Sequence, residues 1–237
     1  MLLQDNFREL YKKINPKWQD SVTIYKKLIS SYIQKDMTIL EAGCGFSDMY
    51  LDLYGKVKRV IGVDIEPRYL EMNPHLQEKI QSDLADMPQV QDSSIDLLVS
   101  SWVFEHIKNP AGAFKEFFRV LKPGGKVIFL TPNKLNYVVF ANRLAPFFLR
   151  KWIVNKMSKD LVTDPMKTYY RTNSISKIAD LAEQSGLQPI RIILNGDPTY
   201  IAINKLFFYS GVFGEIILSL PLLRNFKVHI IGVLQKR

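Results

Sequence analysis

The chain has 237 residues, with 32 Lys+Arg against 23 Asp+Glu, a formal net charge of +9 and a pI near 9.4. With 47% apolar and 23% charged residues the composition excludes wholesale disorder. At about 150 residues per domain the length admits one or two domains. The single cysteine, Cys44, excludes an intrachain disulfide and makes a reducing compartment the default. Residues Met1 to Glu9 place acids where a secretory leader needs a basic segment, so the chain reads as cytoplasmic.

The charge is unevenly distributed. Residues 1–130 hold 17 Lys+Arg and 17 Asp+Glu, whereas 131–237 hold 15 and 6. Within the second part, 131–171 alone carries eight basic and two acidic residues. Only that part makes nucleic acid, anionic lipid or an anionic substrate worth considering as a partner.

In chain order, 2–33 reads as helix broken near Asn15-Pro16, with Leu10, Ile14, Val22, Tyr25, Leu28, Ile29 and Ile33 as its apolar positions. Met37–Ala42 follows as a strand, Asp48–Tyr54 as a helix start, Arg59–Val63 as a second strand, and Pro67 opens a short helix. Lys79–Ser82 is a weak third strand and Ile95–Ser100 a strong fourth. Asn109-Pro110 pairs a capping residue with proline at the first helical position, and the helix it opens stops at Lys122-Pro123-Gly124-Gly125. Lys126–Leu130 is the next strand. Beyond the aromatic, basic stretch 132–171 come a helix at Asn173–Ser185 closed by Gly186, a strand at Leu187–Leu194, a helix at Ala202–Leu220 and a strand at Phe226–Leu234. Strands alternating with helices at this spacing predict an α/β fold with parallel βαβ units in a doubly wound sheet. With no Gly- or Ser-rich linker, the expectation is one domain over 1–237: a helical cover at 1–36, a core at 37–131, a helical insertion at 132–171 and closing elements at 172–237.

The most informative stretch runs from Ile39 through Glu41, Gly43, Cys44 and Gly45 to Asp48. Glycines directly after a strand let backbone approach a ligand at the carboxyl end of a sheet. Asp64 ends the second strand 19 residues after Gly45, where an acid can accept both hydroxyls of a ribose. A nicotinamide dinucleotide and S-adenosylmethionine share these features, and a tight turn without a ligand shares the glycines. The acids separate the ligands. Asp48 stands where a dinucleotide fingerprint needs its third glycine, and a carboxylate there would repel a pyrophosphate. Glu41 precedes the turn and Asp83 follows the third strand in Ser82-Asp83-Leu84-Ala85-Asp86-Met87-Pro88. Such acids suit an ammonium and a sulfonium better than phosphates.

The segments ILEAGCG at 39–45, VIGVD at 60–64, SDLADMP at 82–88, SIDLLVSSWVFEHI at 94–107 and LKPGGKVIFLTPN at 121–133 together resemble the class I S-adenosylmethionine-dependent methyltransferases. The resemblance covers roughly 37–133. It implies a Rossmann-like sheet of about seven strands with the last antiparallel, and S-adenosyl-L-methionine as cofactor. Glu41, Gly43 and Gly45 would hold the methionine moiety, Asp64 with Ile65 the ribose edge, and Asp83 and Leu84 the adenine. Ser101, beside Trp102, would lie next to the cofactor. Tyr11 and Tyr25 sit on N-terminal helices that often cover the cofactor in this family.

The implied activity is methyl transfer by in-line displacement to a small or lipid-like acceptor. A sugar or polysaccharide precursor, or cofactor binding without turnover, are the alternatives. His106 is the candidate general base, against a helix-start histidine with only a hydrogen-bonding role. Tyr169, Tyr170 and Arg171 are candidates for acceptor binding on position alone. Cys44 reads as a packed small residue, and His75 and His229 stand apart from other ligand types, so no metal is expected. No nucleic-acid module is recognisable. For 132–171 two readings stay open, a helical cap with its own aromatic core or peripheral contact with an anionic membrane, and for 206–223, an 18-residue run through Pro221 with Glu215 as its one charge, a last crossover helix or the same contact. The oligomeric state has no signature in the sequence.

Overall fold

The structure, a computed structural model, describes residues 3–45, 52, 55–136 and 166–237. The helix expected from Asp48, and residues 137–165 of the basic insertion, lie outside the described residues. The chain divides into two compact units, one formed by Met1–Thr23, Pro132–Lys167 and Leu194–His229, the other by Ile24–Thr131, Thr168–Ile193 and Ile230–Arg237. We call them the helical unit and the sheet unit.

The sheet has seven strands, β1 (Thr38–Ala42), β2 (Arg59–Asp64), β3 (Glu78–Gln81), β4 (Ile95–Ser101), β5 (Leu121–Pro132), β6 (Leu187–Asn195) and β7 (His229–Lys236). Their spatial order is β3-β2-β1-β4-β5-β7-β6, with the last strand antiparallel to the rest. Strands β3, β2, β1, β4 and β5 pair in parallel. The central strands are near-continuous apolar runs because both of their faces are covered. Ile39, Leu40, Ala42, Leu97, Leu98 and Val99 are all buried. At the far edge, β6 leaves Gln188 to Ile193 open or half-open to solvent.

The helices are α1 (Leu3–Ile14), α2 (Ser21–Ser30), α3 (Pro67–Met72), α4 (Pro110–Val120), α5 (Ile175–Ser185) and α6 (Lys205–Leu218). Helix α4 begins as its sequence dictates: the Asn109 side chain accepts a hydrogen bond from the Gly112 N–H at 3.2 Å, and Pro110 fills the first turn. One face of α4 then packs Phe114 and Phe117 against Phe104 and Phe129. Phe104 stacks on Phe129 at 4.9 Å between ring centroids and on Phe117 at 6.2 Å. All four rings are buried, so this cluster anchors the 3-10 turn Phe104–His106 that comes after β4. Below the sheet, Lys236 closes β7 by donating to the carbonyls of Phe118 and Leu121, both at 2.7 Å.

In the helical unit, Phe7 and Tyr11 of α1 pack on Ala202 and on Phe208 of α6, with Phe7 stacked on Phe208 at 5.1 Å. Asn133 donates from its side chain to the carbonyls of Asn225 and Lys227, both at 2.8 Å. Among the described residues no helix is long and apolar enough to cross a membrane.

Four elements differ from the sequence expectation, among them β7, which starts at His229 and not Phe226 because Arg224–Phe226 forms a 3-10 turn before it. β5 starts at Leu121 because its Pro-Gly-Gly stretch stays in the strand across a register shift opposite Ile95 and Leu97. Helix α5 starts at Ile175, since Ser174 caps it and Asn173 turns its side chain elsewhere. Helix α6 starts at Lys205, where the Asn204 side chain accepts from the Phe207 N–H at 3.0 Å. Removing the cap of α4 by Asn109→Ala is expected to lower unfolding stability by about 1 kcal/mol, measured by urea denaturation.

Candidate functional site

Strands β3, β2, β1 and β4 run parallel side by side, so their carboxyl ends share one edge of the sheet unit. At that edge the turn after β1 has Gly43 at φ +71° and Gly45 at φ +52°, the left-handed region glycine enters without penalty. The N–H groups of Gly43 and Cys44 both donate to the Val63 carbonyl, at 2.8 and 3.2 Å. A Cβ on Gly43 would overlap the Val103 methyl groups, so two constraints demand glycine there.

Asp64 holds the other side of the turn. Its carboxylate accepts from the Gly45 N–H at 2.9 Å through one oxygen and from the Glu66 N–H at 2.9 Å through the other. Each oxygen keeps a further lone pair for an incoming hydroxyl. Asn73, fully buried, donates from its side-chain amide to the Gly45 carbonyl at 3.3 Å. The turn is thus tied by both its N–H and its C=O.

Glu41 lies two residues before Gly43 and is only 2% exposed. Burial, and then the negative charge of Asp64, push its carboxyl well above the ordinary glutamate range. Cys44 packs with Val60, Leu70 and Leu76, and burial raises its thiol far above the usual value. That is the environment of an inert packing thiol.

Of the remaining sequence candidates, Ile65, Asp83, Leu84 and Ser101 fall along the same edge, whereas Tyr11 and Tyr25 do not. Ile65 follows Asp64 with its side chain 56% exposed. The Ser82 N–H donates to the Asp64 carbonyl at 3.0 Å, which brings the end of β3 to that of β2. Asp83 is exposed and accepts from the Ala85 N–H at 2.9 Å, and Leu84 is buried beside it. Ser101 ends β4, half-buried, and Trp102 follows at φ +58° with its N–H donating to the Leu130 carbonyl at 2.9 Å. A left-handed conformation costs a non-glycine residue about 1–2 kcal/mol, which the surrounding packing must offset. Tyr25 is wholly buried and donates to the Ile128 carbonyl at 3.4 Å, so it belongs to the core of the sheet unit. Tyr11 belongs to the helical unit, with its ring 5.0 Å from that of Trp18.

A second polar group sits past β4 and β5. The Asn173 amide donates to the Thr131 hydroxyl at 2.6 Å, and that hydroxyl donates to the Glu105 carboxylate at 3.2 Å. Thr172 donates to the Phe104 carbonyl at 2.6 Å. Glu105 is 6% exposed, and burial raises its carboxyl above the ordinary range. Its backbone carbonyl accepts from the N–H groups of Tyr169 and Tyr170 at 2.7 and 3.1 Å, which fixes those two half-buried residues next to His106. The Arg171 guanidinium donates to the Lys108 carbonyl at 2.6 Å and lies over the Tyr169 ring, so it fastens the segment in place. The sequence points to this place through His106 and Tyr169 to Arg171, and carries no local signal for the buried group of Glu105, Thr131 and Asn173. Among the described residues no cluster of three or more His, Cys, Asp or Glu is placed to hold a metal ion.

A glycine turn rimmed by acids at the mouth of a seven-stranded sheet with this strand order is the architecture of the class I methyltransferase fold. Residues 40–129 match the methyltransferase domain family, and this segment is similar to the class I S-adenosylmethionine-dependent methyltransferases. It is 32% identical over 123 residues to a Mycolicibacterium smegmatis protein named probable S-adenosylmethionine-dependent methyltransferase, an alignment covering 48% of this chain and 44% of that protein. The match therefore spans less than half of that relative's length. Over 178 residues it is 21% identical to a demethylmenaquinone methyltransferase of Bacillus cereus, covering 68% of this chain and 73% of the other. The fold is shared with a geranyl diphosphate C-methyltransferase from Streptomyces coelicolor, at a TM-score of 0.59 and 13% identity over 91% of this chain and 77% of that one.

The Glu41 environment has a measurable consequence. A carboxyl whose folded value is raised contributes stability that is complete below the ordinary glutamate value and is lost as pH rises through the raised one. Glu41→Gln removes that loss. Its melting temperature is expected to match the wild type at acid pH and to exceed it increasingly as pH rises above the ordinary glutamate range, followed by circular dichroism. A difference that does not change with pH would show that Glu41 does not titrate in the fold.

Proposed function

We propose that the chain is an S-adenosylmethionine-dependent methyltransferase acting on a small or lipid-like acceptor. The observation that carries the reading is the buried Glu41 beside Asp64 at a glycine turn. Burial, and then the Asp64 charge, disfavour a bare carboxylate at Glu41, a cost that a bound cation would relieve and the charge of a pyrophosphate would increase. The donor set therefore fits a ligand with an ammonium and a sulfonium and no phosphate.

S-adenosylmethionine, when bound, supplies an electrophilic methyl group on a positively charged sulfur. On this reading Glu41 releases its proton and pairs with the ammonium, while Gly43 and Gly45 leave room for the methionine chain against the backbone. Asp64 accepts the two ribose hydroxyls with the lone pairs left over from Gly45 and Glu66. Ile65 lies at the ribose edge, Asp83 accepts the purine amino group while the Leu84 backbone N–H reaches a ring nitrogen, and Ser101 lines the β4 side. In-line displacement from a good sulfonium leaving group depends mainly on alignment, which is worth several orders of magnitude in rate. The residues that align the acceptor are then Tyr169, Tyr170 and His106, held by the Glu105 carbonyl and the Phe104 anchor. His106 removes a proton where the acceptor is a hydroxyl or phenol. The lipid-like acceptor draws support from the Bacillus cereus relative, which is named for a quinone precursor.

Two measurements test the proposal. Asp64→Ala should weaken calorimetric binding of S-adenosylhomocysteine by about tenfold or more, because the ribose contact and the partner of the Gly45 N–H go together. Unchanged affinity would remove Asp64 from the site. Incubation of the full chain with methyl-labelled S-adenosylmethionine and separated lipid, quinone and glycan extracts should label the lipid or quinone fraction. Label confined to glycans would overturn the acceptor class, and no label in any fraction would overturn turnover itself.

A further inference from the structure

Helix α6 of the helical unit is inside out by the usual pattern of a surface helix. Its inward positions are Phe208, Gly211 and Glu215, all buried, and the Glu215 carboxylate lies against Gly196, where even a Cβ would collide with it. Its outward positions are Leu206, Tyr209, Phe213 and Ile216, recurring at spacings of three and four, and Leu220 continues the row beyond the helix end. Exposure there reaches 76% for Leu206, 65% for both Phe213 and Ile216, 55% for Leu220 and 92% for Leu222. The one charge of the apolar run 206–223 thus points inward, and the outward face carries none. Lys205 stands exposed at the amino end of the row, and Arg224, exposed, at the other, where its N–H donates to the Leu220 carbonyl at 3.1 Å.

From this we infer that the outward face of α6, continued through Leu220 and Leu222 and bracketed by Lys205 and Arg224, docks on the surface of an anionic lipid bilayer. An apolar row of this size at the surface of a folded unit marks an interaction site. The bracketing charges choose the occupant. A second copy of the chain, joined by two-fold symmetry, would bring the same cations to the same interface, with no exposed acid between 205 and 224 to meet them. Residues 137–165 are themselves basic in sequence, with five Lys+Arg and two Asp+Glu, and meet the same repulsion. A bilayer offers hydrocarbon to Phe213, Ile216 and Leu222 and negative headgroups to Lys205 and Arg224. Helix α6 has 14 residues, which suits lying in the interface. The inference concerns binding alone and stands whether or not the chain transfers methyl groups.

The test is co-sedimentation of the full chain with vesicles of mixed phosphatidylglycerol and phosphatidylcholine, against vesicles of phosphatidylcholine alone. The wild type should pellet with the mixed vesicles, and high salt should release a large share of it. The triple variant Phe213→Gln, Ile216→Gln, Leu222→Gln should lower the bound-to-free ratio about tenfold or more, since apolar burial drives interfacial binding. Lys205→Glu with Arg224→Glu should lower binding and remove its salt dependence. All of these positions are exposed, so thermal melting should stay unchanged and serves as the folding control. Failure to pellet, equal pelleting with neutral vesicles, or undiminished pelleting of the triple variant would each overturn the inference. So would a wild-type dimer in analytical ultracentrifugation that the triple variant dissociates, since the face would then belong to a second copy.

Discussion

The hydrogen bond from the Gly45 N–H to the Asp64 carboxylate, at 2.9 Å, is the contact on which the candidate site depends. It links the turn after β1 to the end of β2 in a conformation that two positive φ angles make accessible. A charge-assisted bond of this kind contributes about 1.5–3 kcal/mol, more than an exposed turn could secure from water. The same carboxylate fixes the backbone just beyond β2 through the Glu66 N–H, and it raises the proton affinity of Glu41 behind it. One buried acid therefore shapes the turn, sets the exit from β2 and adds to the burial that disfavours charge on its neighbour.

The other half of the edge rests on aromatic packing. Phe104 is stacked between rings of α4 and β5, and the turn it anchors sets down Glu105 and His106 immediately beyond β4. The Glu105 side chain is engaged by Thr131 and its carbonyl by Tyr169 and Tyr170. A shift of Phe104 would therefore move the residues proposed to align an acceptor. The two halves use different physics, electrostatics around the glycine turn and ring packing past β4. That difference matches a site where one ligand is shared across a family and the other varies.

The sheet core and the glycine turn were legible because local signals and the fold agree there. The apolar runs of β1, β2 and β4 are fully covered strands, and their observed ends lie within a residue of the runs themselves. Asn109-Pro110 named the start of α4 because a cap is a local device. Asn73 was silent, since its role is set by Gly45, 28 residues away, and Thr131 meets Asn173 across 42 residues. The same limit misplaced the meaning of Glu215. In the linear sequence it counted as a charge interrupting an apolar run, whereas helical geometry buries it and frees the opposite face of α6. The basic excess of 131–171 offered a second place for membrane contact, and residues 137–165 of that stretch fall outside the described residues.

The central claim is that the acids at the turn are built for a cationic cofactor. Calorimetric titration with S-adenosylhomocysteine, near neutral pH in two buffers of different ionisation enthalpy, tests it most directly, with a nicotinamide dinucleotide titrated in parallel. The predicted result is binding of S-adenosylhomocysteine alone, with an enthalpy that depends on the buffer because Glu41 gives up a proton as the ammonium docks. Binding of the dinucleotide in its place, or an enthalpy identical in both buffers, would contradict it.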